Sequence, residues 1–411
     1  MNRFVADSVI GFNCVRCGAS HYPAEVQYTC SCDSEQGILD IDYQYEGIRK
    51  NVSRADLASS TQVGMWRYLP LLPVPDNAQL PSLVVGNTPL YALSGLAHQL
   101  DLKQVWCKDE SRQPSGSLKD RASAMAVVHA RLAGYDTLAT ASTGNAAAAL
   151  SCLAANMSMR AKIYVPKDAP KEKLLQIQAY GAEIVLVDGN YDAAFKLSLT
   201  EAKENHWYIR NTAYNPYMTE GKKTVAYEIA EQLNWQMPDV IAVSVGDGSI
   251  IGGVHKGLKD LLALGWIEKM PRILGVQASG SDFIYQAWHN RETVLDKAAI
   301  AANSVADSLQ ADLPKDRVKA LNAVVQTGGI YTTVTDEEIL QAMNTLGRHG
   351  ILSEPAAAAT LAGITKARKD RQLEAHESLV MINTGTGLKD MTSIQKMLKS
   401  YGSENINQGK C

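Results

Sequence analysis

The chain has 411 residues, of which 46% are apolar and 20% charged, and its net charge is −3. That is the profile of a globular chain long enough for two or three structural units, without the clustered basic charge that a broad nucleic-acid-binding face needs. No apolar run approaches membrane-spanning length and the N-terminus carries no signal-peptide core, so no membrane partner is expected.

Seven cysteines, an odd number, are scattered along an enzyme-sized chain, which points to a reducing compartment, the cytoplasm, and not to a disulfide framework. Cys14-Val15-Arg16-Cys17 is followed by Cys30-Ser31-Cys32. Two cysteine pairs at this spacing predict a zinc-ribbon-like module over 1–38, with Cys14, Cys17, Cys30 and Cys32 as four thiolate ligands of a structural zinc. Four ligands close the tetrahedron and leave no open position for chemistry. His21 lies in the loop, either as a spare ligand or as an ordinary loop residue. That loop has no basic cluster, so a structural role is expected over nucleic-acid binding.

Residues 39–85 read as a lead-in segment. Tyr43, Tyr45, Trp66 and Tyr68 supply aromatic anchors, while Pro70, Pro73, Pro75 and Pro81 prevent long helices. The segment is expected to wrap over the main body or a partner subunit.

From 86 to 398 the pattern alternates. Apolar runs at 105–107, 138–141, 163–165, 184–187, 240–245, 273–276 and 379–382 predict buried strands. Helical segments are predicted at 146–155, 171–180, 191–205 and 219–233. Such alternation implies an α/β fold with parallel sheets covered by helices on both faces, and ligands at the C-terminal ends of the strands. A short polar tail, 399–411, is expected to fray.

Four loops at such strand ends carry candidate chemistry. In the first, Gln113-Pro114-Ser115-Gly116-Ser117-Leu118-Lys119-Asp120-Arg121, Ser117 is a candidate N-cap and Lys119 opens a helix. A positive helix end disfavours an ammonium there and favours an amine able to form a Schiff base, as pyridoxal phosphate chemistry requires. The bland alternative makes Lys119 and Arg121 solvated charges. The second loop, Ser142-Thr143-Gly144-Asn145, offers short polar groups and backbone N–H groups, though an ordinary N-cap cluster uses the same residue types. The third, Gly246-Asp247-Gly248-Ser249-Ile250, is a glycine-rich strand-to-helix turn suited to a phosphate. Asp247 would repel a phosphate, so its side chain is expected to turn away and cap the following helix. The fourth, Asn383-Thr384-Gly385-Thr386-Gly387-Leu388-Lys389-Asp390, sets hydroxyls between glycines.

Together with Asn-Pro-Tyr-Met-Thr-Glu-Gly-Lys-Lys-Thr (215–224) and Ser-Glu-Pro-Ala (353–356), these loops make the chain resemble the fold-type II pyridoxal phosphate-dependent family, and within it the threonine synthases. The resemblance covers roughly 80–392. It implies two parallel-sheet α/β domains of the tryptophan synthase β-like architecture, the smaller inserted at about 124–215 and mobile, and a homodimer. It also implies pyridoxal 5'-phosphate on Lys119, Asn145 at the ring hydroxyl, the loop Gly246, Asp247, Gly248, Ser249 and Ile250 on its phosphate, and Thr384 at the ring nitrogen. Ser142, Thr143, Asn215 and Arg121 become candidate substrate contacts. The implied reaction is O-phospho-L-homoserine and water to L-threonine and phosphate. An alternative is β-elimination or β-replacement on serine, threonine or another β-substituted amino acid; a third possibility is a catalytically silent binding protein. Met218 and Ala146 stand where threonine synthases commonly carry an arginine and a threonine for the substrate phosphate. That departure favours the alternative, unless Arg121, Lys222, Lys223 or Arg210 supplies the charge.

Overall fold

The computed structural model describes residues 5–25, 28–169 and 171–401. The chain opens with a three-stranded antiparallel sheet of β1 (Val9–Cys14), β2 (Ser20–His21) and β3 (Leu39–Tyr43), in the order β2-β1-β3. β3 pairs along β1, so this sheet runs past the boundary expected at 38. The lead-in then forms only short pieces, as its prolines dictate: α1 (Tyr45–Asn51), α2 (Arg54–Ala58) and a 3₁₀ segment over Gly64–Leu71 that holds Pro70. Ser53 and Asp56 cap α2 reciprocally.

The main body begins with β4 (Leu90–Ala92), α3 (Ser94–Gln99) and β5 (Gln104–Asp109), and α4 (Lys119–Leu132) leads out of it. Next come β6 (Thr137–Ala141), α5 (Asn145–Asn156), β7 (Arg160–Pro166), α6 (Lys171–Ala179), β8 (Glu183–Val187), α7 (Tyr191–Glu204) and β9 (Tyr208–Ile209). These make a four-stranded parallel sheet, β8-β7-β6-β9. The chain returns through α8 (Tyr217–Gln232) to β10 (Val240–Ser244), α9 (Ser249–Ala263), β11 (Arg272–Ala278) and α10 (Phe283–Asn290). It ends with α11 (Arg317–Gln326), β12 (Ile330–Val334), α12 (Asp336–Arg348), α13 (Pro355–Lys369), β13 (Ser378–Asn383) and α14 (Met391–Tyr401). The larger sheet runs β12-β11-β10-β13-β5-β4, parallel except for its β4 edge.

Every strand expected from an apolar run forms, and the two-sheet α/β class holds. β12 is not announced by an apolar run, because two of its five residues are threonine. Of the tail expected from 399, residues 399–401 close α14; 402–411 lie outside the described residues. Among the described residues no helix is long and apolar enough to cross a membrane.

Alternation in β3 turns Leu39, Ile41 and Tyr43 inward. With Phe12 they join Val225 and Ile229 of α8 and Val254 and Leu258 of α9 in one apolar cluster. The N-terminal sheet therefore borrows the main core, as a piece too small to bury a core of its own must. The lead-in is pinned by tyrosines on two buried acids and the half-buried Glu231. Tyr43 donates to Glu220 and Tyr45 to Asp260, each at 2.5 Å, and Tyr68 donates to Glu231.

Candidate active site

The C-terminal ends of β5, β6, β10 and β13 bring the four loops together. The first is laced to the fourth: Leu118 N donates to Thr384 O at 3.0 Å and Thr386 N to Gly116 O at 3.1 Å. Ser117 does not cap α4. Its Oγ is buried without a partner, and Asp120 instead folds back to accept from Ser115 N at 2.6 Å and from Ser115 Oγ. Burial holds the Asp120 carboxyl up at about 6.

Lys119 sits at the first position of α4. Burial first, then the Arg210 guanidinium, pushes its ammonium down to about 8. Low solvation is thus the main cause, ahead of the helix end that the sequence suggested. Arg210 is itself fully buried; it donates to Ser123 Oγ at 3.1 Å and Thr212 Oγ1 at 2.8 Å, and its Nη2 has no partner. Lys222 of α8 is buried too and donates to Ser249 Oγ. Burial, Lys119 and Arg210 press its ammonium well down.

Between β10 and α9 the third loop makes a cradle. Gly248 has φ +90°, and a Cβ there would lie 2.9 Å from Asp316 O, so only glycine fits. The backbone N–H groups that open α9 point outward at this turn. Asp247 does turn away, but not to cap α9: its Oδ1 accepts from Lys315 N at 2.6 Å. Burial and the neighbouring Asp316 hold its carboxyl up at about 6.

An inner cavity of about 50 Å³ is lined by Lys119, Asn145, residues 244–251, Ser308, Glu354 and Thr384. A cleft of about 450 Å³ shares Asn145, Ser308 and Glu354 and adds Thr143 and Lys389. Asn145 donates to both Glu354 carboxylate oxygens at 2.9 Å and accepts from Lys389 Nζ at 2.9 Å. The residues fit a phosphorylated aldehyde. A buried amine of lowered basicity stands near a glycine cradle at a helix start, with the unpaired guanidinium N–H of Arg210 and one further buried cation, Lys222, nearby.

Three expected substrate contacts, Arg121, Asn215 and Ser142, line neither cavity. Arg121 is fully buried and pairs with Glu110 at 2.7 Å and Glu228 at 2.8 Å, so its five donors are committed inside the core. Asn215 donates to Ile209 O at 2.7 Å and accepts from Tyr217 N at 3.0 Å, holding the turn into α8. Met218 packs in an apolar cluster with Ala122 and Met125 and lines neither cavity. Ala146 is half-buried. Ser142 Oγ accepts from Gly144 N at 3.2 Å and shapes its own turn. Lys223 is spent on Glu220 and Asp260, at 2.5 and 2.8 Å. The sequence reading missed Glu354, Lys389 and Ser308 as lining residues. The first two stand inside quoted motifs, Glu354 just before the helix-starting Pro355; Ser308 carries no local signal.

In the N-terminal module the four cysteine Sγ atoms lie within 4.8 Å of one another, Cys14 to Cys32 at 3.6 Å and Cys17 to Cys30 at 3.8 Å. Zinc–sulfur bonds of about 2.3 Å put tetrahedral sulfurs about 3.8 Å apart, so the cluster fits zinc. His21 Nε2 stands 3.2 Å from Cys30 Sγ, outside the four, where it can donate to a thiolate.

Residues 81–385 match the family model described as "Pyridoxal-phosphate dependent enzyme". The chain is 37% identical over 379 residues to the threonine synthase of Methanocaldococcus jannaschii, covering 92% of both chains. It is 35% identical over 384 residues to that of Methanosarcina acetivorans, covering 93% of this chain and 92% of the other. In fold it is similar to an L-serine ammonia-lyase from the fungus Rhizomucor miehei (TM-score 0.65, 23% identity, 76% of this chain and 98% of that one). It is also similar to maize serine racemase (TM-score 0.63, 24% identity, 76% and 92%). The chain therefore belongs to the pyridoxal-phosphate dependent enzyme family, as a threonine synthase-like member with the fold-type II architecture.

Proposed function

We propose that the protein is a threonine synthase, converting O-phospho-L-homoserine and water to L-threonine and phosphate. The observation that carries this reading is the likeness to a threonine synthase across 92% of both chains. In this reading bound pyridoxal phosphate supplies an electron sink for the substrate's α carbon. The loop 246–250, Lys222 and Arg210 hold its phosphate, and Asn145 orients its ring. Thr384 presents a neutral hydroxyl to the ring nitrogen, which leaves that nitrogen unprotonated and suits elimination and hydration. Lys119, with its ammonium lowered to about 8, is partly neutral near physiological pH; it takes protons from the substrate's α and β carbons and returns protons at the α carbon and at the γ carbon that has lost phosphate, while water adds at the β carbon. The four cysteines hold a structural zinc, and the enzyme works as a cytoplasmic homodimer.

One observation favours a second reading. Among the described residues lining the cleft, Lys389 is the one cation and it faces Glu172, Asp307, Glu354 and Asp390. A phosphate dianion is poorly served there, whereas an uncharged leaving group such as the hydroxyl of serine or threonine is not repelled. The holoenzyme assayed against phosphohomoserine, phosphoserine, serine and threonine separates the two. Phosphate release with threonine formation is expected from phosphohomoserine. Oxoacid release from serine or threonine, with phosphohomoserine inert, would replace the first reading by the second.

A further inference from the structure

Another cavity, of about 190 Å³, lies where the N-terminal sheet meets α9 and α11. His255, Lys256 and Lys259 line it from α9, Lys319 from α11, and Asn13 and Asp40 from the sheet. Positions 252, 255, 256 and 259 fall at the i, i+3, i+4, i+7 spacing of one helix face, so the cationic stripe is built by α9 itself.

Three ammonium groups share one carboxylate. Asp40 approaches Lys319 to 3.6 Å and both Lys256 and Lys259 to 3.8 Å, beyond hydrogen-bond length. Its Oδ1 accepts no hydrogen bond. The side chains of Lys256 and Lys319 are only 6% and 7% exposed, so bulk water does little to screen them. Lys256 donates to Ile41 O, and Lys319 to Leu39 O at 2.9 Å and Thr219 Oγ1 at 3.3 Å. With three N–H groups on each lysine, donors remain unspent. His255 is 3% exposed and its buried Nε2 has no partner. Burial and Lys259 keep the ring neutral, down at about 4, and in its Nε2–H tautomer it is a further donor.

The charge balance repels metal cations. The volume is below the roughly 300–1,000 Å³ that drug-sized ligands occupy. We propose that this cavity is a binding site for a free tetrahedral oxyanion, phosphate or sulfate, held by Lys256, Lys259, Lys319 and His255. None of these four lines the catalytic cavity or its cleft. An occupant ties the N-terminal sheet to the helix whose first residues form the candidate phosphate loop, and it stabilises the folded chain because it binds only that state.

Calorimetric titration of the holoenzyme with sulfate and with phosphate, at ionic strength fixed by chloride, tests this. Sulfate is expected to show one saturable event. Lys259→Ala, at a side chain 41% exposed and remote from the catalytic cavity, should weaken it about tenfold or more, the worth of one charge-assisted hydrogen bond. Asp40→Asn removes the competing carboxylate and should tighten it. Heat no different from the chloride control, or a sulfate event unchanged in both variants, overturns the site. Methyl phosphate should bind more weakly than phosphate, since its methyl group forfeits a donor; equal or tighter binding overturns the free-ion assignment.

Discussion

Asn145 Nδ2 lies 2.9 Å from each carboxylate oxygen of Glu354, so the first residue of α5 is clamped to the residue just before α13. Lys389 holds the other end of the amide. Burial raises the Glu354 carboxyl, and hydrogen bonding to Asn145 offsets part of that rise. Glu354→Ala should therefore release the amide and lower cofactor affinity about tenfold or more, from a charge-assisted bond of about 1.5–3 kcal/mol. Glu354→Gln keeps an acceptor and should retain most of it. Fluorescence titration of the cofactor-free protein with pyridoxal phosphate measures both, and an unaltered affinity in Glu354→Ala would separate this clamp from cofactor binding.

Lys119 gives a pH-resolved test. Its folded pKa, about 8, lies below the ordinary 10.5. Above about 10.5 neither folded nor unfolded chain protonates this amine. As pH falls from there to about 8 the unfolded chain takes up a proton that the folded one refuses, so stability declines across that window and the deficit stays constant below it. In cofactor-free protein Lys119→Met should raise stability at pH 7, by at most about 3 kcal/mol. The gain should fade as pH rises from 8 to 10.5. The same variant should show no visible absorption band after pyridoxal phosphate is added, while borohydride should fix the cofactor to Lys119 in the wild type. Trapping on a different lysine would sink the assignment.

Metal analysis should find about one zinc per chain, since the four sulfurs lie within 4.8 Å of one another and two pairs stand at the spacing of a tetrahedral zinc site. Chelation, or Cys14→Ser, should lower the thermal midpoint and leave kcat/KM of the folded fraction near the wild-type value. Freshly purified protein without zinc, or a lost chemical step at unchanged stability, would contradict a structural metal.

Arg121 and Met218 separate packing from recognition. Arg121→Met leaves Glu110 buried without its paired cation, and Glu228 with Lys108 alone, and should cost about 3–5 kcal/mol in denaturant unfolding. Met218→Arg drives a guanidinium into an apolar cluster and should destabilise the protein without improving turnover. A stable Met218→Arg protein with higher kcat/KM for phosphohomoserine would put that side chain back at the substrate.

The apolar runs determined seven strands of the two larger sheets, because burial on both faces of a parallel strand is written in consecutive residues. Turn glycines and the cysteine spacing likewise announced the glycine turn before α9 and the four-cysteine cluster, both short-range features. Which polar side chains face the cavity was decided only by the tertiary structure. Arg121 sits two residues from Lys119 in sequence, yet its partner Glu228 lies 107 positions away and draws it into the core. Asn145 meets Glu354 across 209 positions, and Lys319 meets Leu39 across 280. Periodicity and turn chemistry are properties of a few neighbouring residues. The partner of a buried charge is chosen where distant segments cross, and burial makes that choice dominate over any local preference.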